Sequence, residues 1–205
     1  MAEENKTLDK IHSIAEQEFL QKGFRGASLR NIVKEAGVTT GAFYGYYKSK
    51  DELFDALVKS HADYMLNYFK KVQKEFEELS KEEQLAEMSG YNMTYIDDMF
   101  EYAYKNLNGM KLLLTAAIGT KYENLLHEMV EMEIESTHNF MKVMEQMGYK
   151  TKPFDPHFEH IITSGMFAAY FELIIHEVPY EQAKKCIDDM TKFYAAGWGR
   201  MYGLA

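Results

Sequence analysis

The sequence predicts an all-α protein, and three observations support this. Leu, Met, Glu, Lys and Ala abound, runs of alternating Val, Ile and Thr are missing, and only three prolines interrupt the 205 residues. Hydrophobic residues make up 46% of the chain, which is ample for a core. We expect about nine principal helices, divided between an N-terminal domain over residues 1–50 and a larger helical domain over residues 51–205.

Three short helices are predicted at the N-terminus. Apolar residues recur every three or four positions over residues 7–21 and predict the first helix. Ser28 is the expected N-cap of a second helix that ends at Gly37, and Thr39 is the expected cap of a third helix of barely two turns. Two short helices joined by a glycine-containing turn, after a supporting helix, form a helix-turn-helix, whose second helix enters the DNA major groove.

Helix caps also position the helices of the second domain. Capping boxes are predicted at Ser49–Glu52, Ser80–Glu83 and Thr120–Glu123. Asp155 followed by proline, and then Pro179, are expected to open the last two helices. The predicted helices are 50–78, 91–106, 109–118, 120–147, 156–176 and 179–202, with a shorter one near 81–88.

Charge is distributed unevenly along the chain. The formal net charge is -9, yet the stretch from Lys22 to Lys50 holds six basic residues and Glu35 as its single acid. Because screening acts over about 8 Å at physiological salt, an acidic body does not prevent a basic surface from meeting phosphates. We therefore expect a locally positive surface on an acidic protein.

Residues 19–57, FLQKGFRGASLRNIVKEAGVTTGAFYGYYKSKDELFDAL, resemble the N-terminal signature of the tetracycline-repressor (TetR) family. The shared pattern is an apolar helix, KGF, a small polar cap, IxxxAGV, GxFYxxFxSKxxL and a long fourth helix. The resemblance implies a helix-turn-helix DNA-binding domain followed by a helical domain that binds a small-molecule effector and forms a homodimer. It also implies a ligand-responsive transcriptional regulator, most simply a repressor released from a palindromic double-stranded DNA operator.

The resemblance assigns DNA contacts to particular side chains. Residues of the third helix would face the bases, while Tyr44 and Lys50 would contact phosphate. Thr40 and Gly45 depart from the common pattern, in which Lys and a larger polar residue such as His are frequent, so we expect DNA shape to carry more of the specificity. The predicted DNA-contacting residues are Ser28, Arg30, Thr39, Thr40, Gly41, Tyr44, Gly45, Tyr46, Lys48 and Lys50.

Aromatic and Met side chains share faces on several helices of the second domain. The chain contains fourteen Met and 14% aromatic residues, a composition that can repack around varied small molecules. Ordinary core packing is the alternative interpretation. The predicted pocket residues are Tyr91, Tyr95, Met99, Tyr102, Tyr122, Leu126, Met129, Glu133, Phe140, Phe167 and Phe171.

Small residues alternate with large apolar ones in the last two helices. Small residues permit close helix approach, so these helices could meet their counterparts in a second copy of the chain. Internal packing of the same two helices is the alternative. The predicted dimer-interface residues are Gly165, Ala168, Ala169, Glu172, Ala195, Ala196 and Gly199.

Four ionisable residues, Glu133, Glu172, His138 and His176, interrupt largely apolar faces. Burial of an unpaired charge is costly, so each should lie near solvent, pair with a neighbour, or point at a polar ligand group. A carboxylate that lines the cavity would favour a cationic or hydroxylated ligand.

The motif H-x-E-H at residues 157–160 is the one local pattern that suggests a metal. Its two histidines do not close a site, and no Cys or third His has a fitting spacing, so we expect no metal ion and no cofactor.

Other function classes find little support in the sequence. Neither a Gly-rich phosphate loop nor a Ser-His-Asp arrangement can be argued, so no enzyme is predicted. The single Cys186 and the lack of a signal-like N-terminus predict a cytoplasmic protein, and apolar stretches shorter than ~20 residues predict no membrane partner. Two alternatives stay open: a small-molecule-binding or catalytic helical protein with a silent helix-turn-helix, and a DNA-binding activator or architectural protein without an effector.

Overall fold

The structure, a computed structural model, describes residues 2–88 and 91–203, with side chains over residues 6–88 and 95–203. Over these ranges it contains ten α-helices, one π-helical turn at Leu112–Ala116 and no strand, so the predicted all-α class is confirmed. The helices are α1 (Ala2–Gly26), α2 (Leu29–Glu35), α3 (Thr40–Tyr46), α4 (Lys50–Glu77), α5 (Lys81–Glu87), α6 (Tyr91–Lys105), α7 (Leu107–Lys111), α8 (Leu125–Gln146), α9 (Pro156–Ile175) and α10 (Tyr180–Met201).

The helices form two compact units. The first unit runs to Tyr64 and adds Asn106–Asn124, and the second comprises Met65–Lys105 and the chain from Leu125 onward. The first unit therefore extends beyond the predicted residues 1–50, because α7 and the π-helical turn pack against α1. Helix α4 supplies its N-terminal half to the first unit and its C-terminal half to the second.

The first unit has an aromatic core. Phe19, Phe43 and Phe54 are at most 1% exposed. The Phe19 and Phe54 rings meet edge to face with centroids 5.0 Å apart, and Phe24 meets Phe54 in the same way at 5.3 Å. Helix α1 is interrupted at Gly23, whose φ of 67° is unfavourable for residues with a side chain, so its regular part ends close to the predicted residue 21.

Most predicted caps are present in the structure. Ser28 accepts a hydrogen bond from the Asn31 amide and starts α2. The Thr39 hydroxyl accepts from the Ala42 amide at 3.1 Å and starts α3, while Ser80 and Glu83 form a reciprocal capping box before α5. These short helices are therefore positioned by signals within the sequence itself.

The predicted capping box at Thr120–Glu123 is wrong as a helix start. The Thr120 hydroxyl donates to the Ala117 carbonyl at 2.7 Å, and the Glu123 carboxylate accepts from the Gly119 amide at 2.8 Å. These bonds close turns before the helix, and α8 begins at Leu125.

The second unit packs around aromatic and Met side chains. Phe69 makes edge-to-face contacts with Tyr95 and Phe167 at centroid distances of 5.6 and 5.5 Å. Met129 and Met144 of α8 are fully buried. Large and flexible apolar groups thus fill this unit, as the composition indicates.

Helix α9 is apolar on most of its surface. By length and composition it is the one helix of the described chain that could cross a membrane, with a mean hydropathy of 1.2 over Pro156–Ile175, although 39% of that stretch is buried inside the protein. A helix in the core of a soluble protein meets the same criteria of length and hydropathy when its outer face is also apolar. Glu159 and Glu172 lie within this helix and reduce its suitability for a lipid environment.

Candidate nucleic-acid interface and ligand cavity

Helix α3 uses one side chain for the core and presents the rest outward. Phe43 is 0% exposed and packs inside the first unit, whereas Tyr44 beside it is 52% exposed. Thr40 and Gly45 are also exposed, and Tyr46 is half-buried. Of the predicted DNA-contacting residues, Thr40, Gly41, Tyr44 and Gly45 are thus exposed on this helix, and Thr39 and Lys48 are exposed just outside its ends.

The C-terminal end of α3 is fixed to α1. The Tyr47 hydroxyl forms a hydrogen bond with the His12 ring, and the Phe43 and Tyr47 rings lie 6.0 Å apart. Burial lowers the pKa of His12 and raises the pKa of Tyr47, so both groups are uncharged near neutral pH. The helix is thus held by an aromatic contact and a neutral hydrogen bond.

Helices α2 and α3 together line an open depression on the surface of the first unit. Arg30 and Lys34 of α2 lie on one side of it, and Thr39, Thr40 and Tyr44 lie on the other. Both basic side chains are exposed. The depression therefore combines positive charge with hydroxyl groups, which are the donors that contact DNA phosphates and base edges.

Lys50, a predicted phosphate contact, bonds to backbone carbonyls in the free chain. Its ammonium group donates hydrogen bonds to the carbonyls of Phe24 and Ala27 at 2.6 and 3.0 Å, and it lies 4.5 Å from the Phe24 ring centroid. A longer hydrogen bond of 3.5 Å reaches the Arg25 carbonyl, so the ammonium group bonds three carbonyls where α1 ends and the turn to α2 begins. Among the predicted basic contacts, the exposed Arg30 and Lys48 are better placed for phosphate.

Comparison with known proteins agrees with this arrangement. Residues 11–57 match the sequence profile described as bacterial regulatory proteins, tetR family. Residues 11–57 are therefore similar to the N-terminal domain of TetR-family regulators. Because the match covers the helix-turn-helix and the start of α4, it includes all the predicted DNA-contacting residues.

Curated relatives match this chain over about a third of its length. The HTH-type transcriptional repressor NemR of Escherichia coli K12 is 36% identical over 58 residues, which is 28% of this chain and 29% of NemR. The HTH-type transcriptional repressor KstR2 of Mycobacterium tuberculosis is 25% identical over 68 residues, 33% of this chain and 34% of KstR2. The chain thus spans about a third of the length of these relatives.

Solved structures share the fold over nearly the whole chain. A member of the TetR transcriptional regulator family from Streptomyces coelicolor A3 superposes with a TM-score of 0.54 at 17% identity, covering 95% of this chain and 90% of the other. A gamma-butyrolactone receptor described as ArpA-like gives 0.50 at 13% identity, covering 93% and 98%. At these identities the likeness shows the fold, which is a helix-turn-helix unit followed by a helical bundle.

The second unit contains a cavity of about 80 Å³ with both aromatic and polar walls. Helix α10 contributes one wall through Thr191, Tyr194, Trp198 and Tyr202, which recur every three or four residues. The other walls come from α4, α5, α6, α8 and α9. The remaining lining residues are Val72, Gln73, Phe76, Met88, Tyr95, Ile96, Glu133, Ser136, Thr137, Phe140, Met166, Tyr170 and Ala195.

Glu133 is the one carboxyl group among the described residues that line this cavity. The Gln73 amide donates a hydrogen bond to its Oε2 at 2.6 Å. Burial raises the pKa of Glu133 to about 7, although the Gln73 hydrogen bond opposes the rise. The protonated form is therefore favoured more than in an exposed glutamate, and the group lacks a positively charged partner among the described lining residues.

The predicted pocket residues divide into several groups. Tyr95, Glu133 and Phe140 line the 80 Å³ cavity. A second cavity of about 20 Å³ is more apolar, and Tyr95, Met99, Met129, Phe167 and Phe171 are among its lining residues. The side chain of Tyr91 falls outside the described residues.

Three further predicted pocket residues lie elsewhere. Tyr122 belongs to the first unit, where its hydroxyl donates a hydrogen bond to Asp55, so its assignment to the pocket is corrected. Tyr102 and Leu126 are half-buried but do not belong to the described lining of either cavity. A shared helix face in the sequence does not indicate which part of the helix borders the cavity.

The predicted dimer-interface residues are partly accessible in the single chain. Gly165, Glu172 and Ala196 are exposed, and Ala168, Ala169 and Gly199 are half-buried. Ala195 is also half-buried and lines the cavity. Four large apolar side chains of α9 and α10 are also exposed and were not predicted from the sequence, namely Phe158 at 39%, Ile161 at 65%, Phe193 at 74% and Met201 at 48%.

The other ionisable residues on apolar faces are paired. Glu172 and His176 are both exposed and lie 2.8 Å apart. His138 is exposed, and its Nε2 lies 2.8 Å from Oε2 of the buried Glu159. Glu172, His176 and His138 are thus paired with neighbouring side chains, which is one of the three predicted outcomes. Of the four residues, only Glu133 faces the cavity.

Proposed function

We propose that the protein is a homodimeric, ligand-responsive transcriptional repressor that binds a palindromic DNA operator. The observation that carries this proposal is the orientation of α3, with Phe43 buried and Thr40 and Tyr44 outward in a TetR-family domain. Each α3 enters one major groove, and the two half-sites lie about 34 Å apart or a multiple of that distance. Arg30 and Lys48 contact the flanking phosphates.

The dimer forms through the outer faces of α9 and α10. Phe193 and Ile161 are among the most exposed large apolar side chains of the described chain, and small residues such as Gly165 lie near them in sequence. Exposed apolar surface of this kind is stabilised by contact with a second copy. Phe193→Glu is expected to convert the dimer to a monomer in light scattering after gel filtration, whereas Ile118→Glu, an exposed site outside α9 and α10, serves as the matched control.

The effector binds in the cavity that contains Glu133. Trp198, Tyr194 and Tyr202 supply aromatic walls, and the carboxyl group of Glu133 supplies a single acidic contact. Aromatic faces and a carboxylate together suit an organic cation, and a protonated carboxyl also suits a hydroxylated aromatic compound. The effector is therefore a small aromatic molecule that carries an amine or a hydroxyl group.

Release from DNA requires that the effector favour one state of the dimer. Helix α4 belongs to both compact units, so it is continuous from the DNA-binding unit to the cavity, where it contributes Gln73. A ligand shifts the balance between two states only by its difference in affinity for them. We expect the contact between Gln73 and Glu133 to differ between the free and the ligand-bound protein.

DNA binding can be measured by fluorescence anisotropy with the DNA upstream of the protein's own gene, at two salt concentrations. We expect saturable, salt-sensitive binding that exceeds binding to scrambled DNA. The Arg30→Ala, Tyr44→Ala double variant should bind at least about tenfold more weakly, since it loses one phosphate contact and one contact of α3. The matched control is Tyr149→Ala with Lys150→Ala, two exposed residues of the second unit.

Equal, weak binding of wild-type protein to both DNA sequences would contradict the proposal.

The effector class is tested in the same assay with benzyltrimethylammonium, a fixed cation, and benzyl alcohol, which is hydroxylated and neutral. Dissociation by at least one compound, lost in a Trp198→Ala variant, supports the cavity as the effector site. Release that persists unchanged in that variant places the site elsewhere.

A further inference from the structure

Three potential metal ligands meet where α8 and α9 pack together. His127 and Glu131 are one turn apart on the same face of α8, and His160 reaches them from the beginning of α9. One ligand atom from each of the three side chains lies within 4.8 Å of the other two. The cluster is outside both cavities and belongs entirely to the second unit.

The distances are close to those of a tetrahedral zinc site. His160 Nδ1 lies 3.5 Å from Glu131 Oε1, and His127 Nδ1 lies 3.9 Å from the same oxygen. Zinc–ligand bonds of about 2.0–2.1 Å place neighbouring tetrahedral donors about 3.4 Å apart. Small rotations of these partly exposed side chains therefore suffice to bring the three donors to bonding distance.

We propose that His127, Glu131 and His160 bind a Zn²⁺ ion that links α8 to α9. Two imidazoles and a carboxylate are a donor set that Zn²⁺ accepts, and three protein ligands leave the fourth position to a water molecule. The side chains of His127 and His160 are 60% and 44% exposed, so an ion can reach the cluster from solvent. This proposal does not depend on DNA binding or on the effector.

The sequence pattern H-x-E-H did not reveal this site because its members separate in the structure. His157 is 92% exposed and lies near Asp155, whereas Glu159 turns into the protein and meets His138. His160 alone of the three joins the cluster, and its partners come from α8, about thirty residues earlier in the chain.

A bound ion would fix the start of α8 against the start of α9. Glu131 is two residues from Glu133 of the cavity, and α9 carries the proposed dimer surface. Zinc binding is therefore expected to raise the melting temperature, because an ion that binds the folded state stabilises it.

The test uses the full-length chain without an affinity tag, in a Cys186→Ser background, because the exposed Cys186 thiol could otherwise bind zinc. The metal is removed with a chelator, and Zn²⁺ is then titrated by calorimetry. We expect one Zn²⁺ per chain with a Kd below about 10 μM and a higher melting temperature. His160→Ala should weaken binding more than about 100-fold, since loss of a ligand costs at least as much as loss of an outer-shell partner.

His157→Ala is the matched control, because it removes a histidine one turn away on the same helix and should leave zinc affinity unchanged. Glu131→Gln keeps the shape of the side chain but removes its charge, so it separates loss of ligation from loss of folding. Circular dichroism checks that this variant is folded.

With Co²⁺ in place of Zn²⁺, intense visible bands of a tetrahedral site should appear in wild type and vanish in His160→Ala. The proposal is overturned if wild type binds no zinc at this affinity, or if His160→Ala binds it as wild type does.

Discussion

Tyrosine has opposite roles in the two units. Tyr44 of α3 is 52% exposed on the surface of the first unit, whereas Tyr170 is 5% exposed beside the cavity of the second. Burial raises the pKa of Tyr170, Tyr194 and Tyr202 around the cavity. Tyr44 is thus available to a large partner, whereas the tyrosines around the cavity are available only to a small enclosed ligand.

The largest effect on stability is expected when a residue on the buried face of α3 is substituted and compared with one on its exposed face. Phe43→Ala removes a fully buried ring and should lower the free energy of unfolding by about 3–5 kcal/mol, with loss of DNA binding as a result. Tyr44→Ala should change stability by less than about 0.5 kcal/mol, because the side chain is exposed, yet should weaken DNA binding. Urea unfolding and anisotropy measure the two effects on the same samples.

If Tyr44→Ala proved as destabilising as Phe43→Ala, the outward orientation of Tyr44 would be incorrect. A useful control is Tyr149→Ala, which truncates an exposed tyrosine of the second unit and should leave both stability and DNA affinity unchanged.

The next effect concerns the acid in the cavity. Below about pH 4.5 Glu133 is protonated in both folded and unfolded chains, so it contributes no pH dependence there. Between that pH and its folded pKa of about 7, the unfolded chain ionises while the folded one stays protonated, and stability falls as pH rises. The loss amounts to at most about 3 kcal/mol and is complete above pH 7.

Glu133→Gln should remove this pH dependence, and unfolding midpoints measured from pH 4.5 to 8 can check it. Glu135→Gln, an exposed acid on the same helix, should retain the wild-type profile. For a cationic effector, wild-type affinity should increase with pH over the same range, since the carboxylate forms, while the Gln variant should bind weakly throughout. A pH profile of Glu133→Gln that matches wild type would show that this carboxyl is not the buried acid described above.

The smallest effect is expected at Gly45 of α3, where one substitution should change stability and DNA affinity in opposite directions. A methyl group added at Gly45 meets nothing within 4 Å, so Gly45→Ala should stabilise the free protein by about 0.5–1 kcal/mol through helix propensity. The same methyl group should weaken operator binding if the backbone of α3 approaches the bases closely. Thermal unfolding and anisotropy should thus change in opposite directions, and an improvement in both would show that DNA does not approach this position.

Prediction from sequence succeeded where the determining interactions are local. Ser28 and Thr39 cap α2 and α3 through bonds to amides three residues later, and such short-range pairs are visible in the chain itself. The orientation of Phe43 follows from the same local periodicity. The assignment of DNA contact to the exposed residues of α3 comes from the family resemblance, not from the local pattern.

Prediction failed where distant segments compete for a side chain. Lys50 is held by carbonyls 23 to 26 residues earlier, and Tyr122 bonds to Asp55. The start of α8 is a local failure, because the Glu123 carboxylate accepts a hydrogen bond from the Gly119 amide four residues earlier, in a turn that precedes the helix. No pattern within a single helix records the long-range bonds of Lys50 and Tyr122, so these contacts could not be derived from the sequence.

The contribution of α10 to the cavity could have been found. The cavity-lining residues follow helical spacing, but the small residues between them also fit a dimer surface; these lining residues are Thr191, Tyr194, Trp198 and Tyr202. Both interpretations apply to the same helix, since its inner side borders the cavity and Phe193 lies outside.

The π-helical turn at Leu112–Ala116 contains one more residue than an α-helical turn of similar height. Leu112, Leu113 and Ala116 of this turn are buried, whereas Thr115 is exposed and its hydroxyl donates to the Lys111 carbonyl. Deleting a single codon here would let the segment rewind into a regular α-helix without shortening its span. A one-residue insertion or deletion in the gene can therefore be accommodated at this wide turn. In the other helices, the same change would rotate the following residues away from the positions that they occupy in the core.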